Sequence, residues 1–145
     1  MVTSTEPTMG RFSVDVELAN DEDLIRVKDG TIQPNQVRRL KIRGVVDSGA
    51  VRLVIPESVA KQLGLAISSK MKVRYADQRT AEREIAERIR LTYAGRSSVF
   101  NAIVEPARES VLIGAIVMED LDLIIDCTNQ RLVPRDPNGI ISEIE

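Results

Sequence analysis

Asp47-Ser48-Gly49-Ala50 places an ionisable carboxylate on a tight loop between two β-branched runs, Val45-Val46 and Leu53-Val54-Ile55. A carboxylate among buried flanks is costly unless a cation or hydrogen bonds compensate it, and such groups are retained chiefly where they carry chemistry. Gly49 allows another backbone to approach closely. The same residues also suit an Asx turn, in which Asp and Ser bond only their own backbone. The chain has 22 acidic residues, no histidine and one cysteine, Cys127. Every Ser-His, Cys-His or imidazole-ligated metal mechanism is therefore excluded, as are an intrachain disulfide and a cysteine-rich zinc site. Acid-base chemistry falls to carboxylates, lysines and tyrosines, and no cofactor or metal is expected. Without a histidine to activate it, Cys127 reads as a small hydrophobe or turn thiol.

The elements that must position Asp47 come from hydrophobic period. Phe12, Val14, Val16 and Leu18 alternate with polar residues, the period-2 pattern of a half-buried strand. Asn20 to Asp23 reads as an acidic turn, and Leu24 to Val27 and Val37 to Ile42 read as strand material. Pro56 to Leu63 predicts a short helix closed by Gly64. Lys70 to Tyr75 alternates again. Ala81 to Arg90 is open between a strand, with Ile85, Ile89, Leu91 and Tyr93 on odd positions, and a helix with Glu84 and Arg88 spaced as an i,i+4 pair. Val99 to Val104, Val111 to Ile113, Leu123 to Ile125 and Leu132-Val133-Pro134 add strands, and Val117 to Leu121 a second helix. Many short strands with one or two short helices predict a mostly β, closed barrel. At 145 residues with 43% hydrophobic content, one domain is expected, over residues 12–135, between a flexible lead at 1–11 and a tail or dimer strand at 136–145.

Val45-Val46-Asp47-Ser48-Gly49-Ala50, followed by Leu53-Val54-Ile55-Pro56, resembles the active-site loop of retropepsin-like aspartic proteases. Val111-Leu112-Ile113-Gly114, about 65 residues on, looks like the hydrophobic-Gly element that packs behind that loop in the family. Leu121 to Asp126 with Arg131-Leu132-Val133-Pro134 resembles the ending of bacterial single-domain members. The resemblance implies a retropepsin-like barrel acting as a symmetric homodimer. Asp47 would be catalytic, Ser48, Gly49 and Ala50 would shape the active-site loop, and Leu112, Ile113 and Gly114 would support it. Tyr75, Ala76, Asp77, Gln78 and Arg79 would form the flap, although this tip lacks the family's glycines. Asp77 and Arg79 also read simply as a turn residue and a solvated charge. Only one Asp-Ser/Thr-Gly occurs, so the paired carboxylates of an aspartic endopeptidase must come from two copies. In the family the hydroxyl after the aspartate clasps the opposite loop, a role for Ser48.

A catalytically silent dimerisation or peptide-binding domain of the same fold is one alternative. Another is an AbrB-like DNA-binding regulator, resembled by Asp47-Ser48-Gly49, Val54-Ile55-Pro56-Glu57 and Leu63-Gly64-Leu65. Val45 to Arg74 holds five basic and two acidic residues. Against it, the net charge of -2 predicts no general attraction to nucleic acid. No segment approaches the roughly 18 apolar residues needed to span a bilayer. A homodimer acting on a peptide or protein in the cytoplasm, with neither membrane nor nucleic acid as partner, is the expectation.

Overall fold

A computed structural model describes residues 11–145; the first ten residues of the expected lead lie outside the described residues. Strand β1 (Arg11–Asn20) runs antiparallel to β2 (Arg39–Asp47). The strand order is β1-β2-β7-β3-β6-β5-β4, with a further β1–β5 pairing. The others in this sheet are β3 (Leu53–Pro56), β4 (Ile67–Arg74), β5 (Thr80–Tyr93), β6 (Arg96–Glu105) and β7 (Val111–Ile113). Because Leu18 pairs with Leu91 and Asn20 with Ile89, the sheet closes on itself. The result is a barrel of six strands, with β4 outside the ring on β5. Closure removes the exposed edges an open sheet would leave. A separate hairpin, β8 (Leu123–Asp126) with β9 (Arg131–Pro134), follows the barrel.

Leu18, Leu53, Ile55, Leu63, Ile89, Leu91, Ile113 and Leu121 are fully buried and fill the barrel. Each such side chain stabilises the fold by ~1.5–3 kcal/mol relative to its exposed state. The competition over Ala81 to Arg90 goes to the strand. That segment pairs with β4, β6 and β1, and this hydrogen bonding outweighs local helix propensity. A register shift between Ala86 and Ile89 and a positive φ of 61° at Arg88 show where the strand bends to serve all three partners.

The segment from Asn20 corrects the sequence reading. Leu24 to Val27 is not strand but part of α1 (Asp21–Lys28). The Asn20 side chain accepts from Asp23 N, acidic residues fill the first turn, and Arg26 and Lys28 close the last. The cap and the charges matched to the helix dipole outweigh the β-branched Ile25 and Val27. Helix α2 (Glu57–Gln62) has Pro56 as its N-cap, and Gly64, at φ +62°, turns the chain out of it. With α3 (Ala115–Asp120) the described residues hold three α-helices, one more than the two at most expected, and a 3₁₀ turn at Pro34–Gln36.

Candidate active site

Asp47 is the last residue of β2, delivered to the barrel end by a strand whose next residue inward, Val46, is fully buried. Beyond it the chain reverses within Ser48-Gly49-Ala50, where Ala50 N donates to Asp47 O at 3.1 Å. Gly49 N donates to Asp47 Oδ1 at 2.9 Å, fixing the carboxylate against its own loop. This is the Asx turn foreseen from the residue types, and it fixes the orientation of the carboxylate.

Two further elements hold the loop. Strand β7 pairs in parallel with β2, Val45 opposite Leu112 and Val46 opposite Ile113, so the hydrophobic-Gly element runs directly alongside the aspartate strand. From Gly114 the chain enters α3, and its first backbone donors reach the loop: Ala115 N to Ala50 O and Ile116 N to Val51 O, both at 2.9 Å. A Cβ on Gly44 would lie 2.7 Å from Ile113 Cδ1, so that glycine lets β2 and β7 pack closely. Ser48 is exposed, and among the described residues its hydroxyl makes no hydrogen bond within the chain.

Asp47 is not alone in its charge. Arg11 is its direct cross-strand partner in the β1–β2 register, and cross-strand partners share a sheet face. Arg11 Nε and Nη2 both donate to Asp47 Oδ2, at 3.1 and 2.7 Å. Burial pushes the Asp47 carboxyl up. The Arg11 and Gly49 hydrogen bonds and the charges of Arg11 and Arg108 outweigh it and hold the group below the usual carboxylate value. Arg108, on the loop before β7, is itself pushed down, first by burial and then by the like charge of Arg11. Its guanidinium is held by Ser110, through the carbonyl at 2.8 Å and the hydroxyl at 3.0 Å.

Tyr75, Ala76, Asp77, Gln78 and Arg79 form the reversal between β4 and β5. It is closed by Tyr75 N to Arg79 O and Gln78 N to Tyr75 O, both at 2.8 Å. Gln78 takes the left-handed position, φ +73°, where glycine would be unstrained. Asp77 accepts from Arg79 N and Nε, a local turn pair. The hairpin leans on β6: Tyr75 Oη donates to Glu105 Oε2 at 2.7 Å, and Arg83 Nε donates to Glu105 Oε1 at 2.9 Å. The Arg79 guanidinium lies 5.0 Å from the Tyr75 ring centroid. Cys127 is exposed in the β8–β9 turn. Among the described residues no cluster of metal-binding side chains occurs.

Sequence reasoning missed Arg11, Arg108 and the Tyr75–Glu105 contact. Arg11 could have been found by setting the alternating run from Phe12 to Leu18 antiparallel against Leu40 to Val46, which brings residue 11 opposite 47. For Arg108 and Glu105 no local pattern existed.

A family model described as aspartyl protease matches residues 29–117, more than half of the chain. A solved structure described as EIAV protease complexed with the inhibitor HBY-793 superposes with a TM-score of 0.53 at 15% identity, covering 83% of this chain and 94% of that one. At that identity the likeness is one of fold, and it makes the barrel retropepsin-like. No curated protein matches the chain. The DNA-binding-hairpin reading gives way here, because the segment it drew on lies inside both the matched family region and the closed barrel. Among the described residues no helix is long and apolar enough to cross a membrane.

Proposed function

The chain belongs to the aspartyl protease family, and on that premise we propose that it is an endopeptidase whose active centre is shared between two copies, each supplying one Asp47. What carries this reading is the count of carboxylates at the loop. Asp47 stands at the barrel end on a framed loop, and the chain has no second Asp-Ser/Thr-Gly to face it. Two carboxylates brought together cannot both ionise, so the pair holds one proton. The ionised member takes a proton from a water as it attacks the peptide carbonyl, while the protonated member donates to the carbonyl oxygen. The exposed Ser48 hydroxyl is free to clasp the facing loop, and Ala50 would line the site. The β4–β5 hairpin around Tyr75 to Arg79 would lie over the substrate.

The second copy has a place to dock. A hairpin of two strands is marginal on its own, and β8–β9 carries Ile124 47% exposed, with the tail residues Ile140, Ile141 and Ile144 also exposed. Residues 136–145 are accordingly read as a tail that contributes to dimer contact. The location read from the single cysteine, the cytoplasm, is part of the same proposal.

The glycine-free tip at Asp77-Gln78 favours a second reading, a peptide-binding domain of this fold that does not cleave. Peptide-library digestion with the wild type and Asp47→Asn separates the two. The endopeptidase reading expects cleavage that the variant abolishes; peptides retained intact by both proteins would leave only the binding domain.

A further inference from the structure

The Arg11–Asp47 ion pair occupies one of the two oxygens of the carboxylate that would have to face a second Asp47. Oδ1 is taken by Gly49 N, and Oδ2 receives both Nε and Nη2 of Arg11. With two guanidinium donors on it, Oδ2 has both lone-pair sites filled and cannot also share a proton with a second carboxylate, which leaves only the second lone pair of Oδ1. We propose that Arg11 is a latch that closes the aspartate of a lone chain, and that assembly of two copies proceeds by exchanging this intrachain ion pair for the carboxylate of the partner. The inference rests on the shared-site reading above.

The latch sits where it can open. Among the described residues Arg11 is the first of β1 and its pairing with Asp47 the outermost rung of the β1–β2 ladder, so releasing the two side chains disturbs no core residue. The Arg11 side chain is 49% exposed while that of Asp47 is 15% exposed, so the cation swings into water and the carboxylate stays put. The rest of the β1–β2 ladder, from Phe12–Val46 to Ala19–Arg39, keeps β1 in register when the end opens. The charges facing Asp47 are Arg11 from β1 and Arg108 from the loop before β7, with Glu105 next to Arg108. Arg108 is tied to Ser110 and stays, so one cation still moderates the repulsion between two facing carboxylates after the latch has left.

The latch exists only while Asp47 is ionised. Its carboxyl lies below the usual value in the folded chain, so the ion pair is present above about pH 4 and is lost as pH falls through the lowered value. Acid therefore both opens the latch and supplies the shared proton.

Sedimentation equilibrium of the full chain at neutral pH tests this with Arg11→Gln and Arg11→Lys, each in the native and the Asp47→Asn backgrounds. Arg11→Gln should tighten the dimer by about five- to twentyfold, since two partly exposed ion pairs are released per dimer. Arg11→Lys should stay near the wild type, and neither change should matter in the Asp47→Asn background. A dimer that is unchanged or weaker in Arg11→Gln would overturn the latch, and so would the absence of any dimer. In dilute solution, carbon-detected titration of Asp47 should move upward in Arg11→Gln; an unmoved titration also overturns it. A tighter Arg11→Gln dimer that cleaves no peptide would keep the latch and remove the protease reading.

Discussion

Gly114 lies against the backbone of Arg52: a Cβ on the glycine would stand 2.5 Å from the Arg52 carbonyl oxygen and 2.7 Å from the Val51 carbonyl carbon. Backbone cannot swing aside as a flexible side chain can. The loop after Asp47 and the start of α3 therefore fit only with hydrogen at this position.

Gly114→Ala should accordingly cost ~1–3 kcal/mol of stability, as overpacking does. It should depress peptide cleavage beyond what the lost stability explains, because Ala115 N and Ile116 N would no longer reach the loop carbonyls. Thermal melts alongside cleavage rates at a temperature where the variant stays folded will check this. A fully active, fully stable Gly114→Ala would remove the framing role.

Cleavage should follow a bell in pH, highest on the acid side of neutrality. The alkaline limb reports loss of the proton shared by the pair and the acid limb its double protonation. Initial rates on one peptide from pH 3 to 9 measure both. Rates that climb through pH 9 and vanish with a chelator would sink the carboxylate pair.

Mixed dimers test the shared centre. When equal amounts of wild type and Asp47→Asn chains are co-refolded and pair at random, about a quarter of the dimers hold two aspartates, and activity per dimer should fall to that quarter. Native mass spectrometry establishes the mixing. Retention of about half would mean that each chain works alone.

Asp23 should anchor the fold against acid. Its side chain, 3% exposed, accepts from Arg38 N, Nε and Nη2 at 2.9–3.0 Å. The Arg38 side-chain hydrogen bonds are the main cause holding the Asp23 carboxyl below its usual value, against burial. A lowered folded value means stability that is present above about pH 4 and lost as pH falls through that value. Asp23→Ala should cost about 2–3 kcal/mol at neutral pH, at or below the lower end for a broken buried pair because Arg38 is half-exposed. Urea melts of the two proteins should converge on acidification; a constant gap down to pH 2 would contradict the ion pair's contribution.

Much of the barrel was legible because strand period and barrel face coincide. Phe12 to Leu18 and the odd positions Ile89, Leu91 and Tyr93 carry the alternation that a two-sided wall demands, while the register shift after Ala86 turns Ile85 to the other face. The Asp47 loop was legible because its residue types are unusual together. Helix α1 was misread although Asn20 and the three acidic residues behind it spell a capped start; the β-branched Ile25 and Val27 drew attention from the cap. Arg11 and Arg108 were hidden for a different reason. Each reaches Asp47 through a pairing or loop whose partner is far away in sequence, and strand register is a property of two segments at once.

The parallel pairing of β2 with β7 also bears on how the protein is made. Translation delivers Asp47, its own turn bonds and Arg11 early, yet the strand beside Asp47 and the donors to the Ala50 and Val51 carbonyls come late, from Val111 to Ile116. β1 likewise waits for β5 before the ring can close. Chains whose contacts span such separations fold slowly, and those contacts form only when both ends have emerged. On the ribosome, the aspartate loop therefore stands without its β7 and α3 supports until almost the whole barrel has been synthesised.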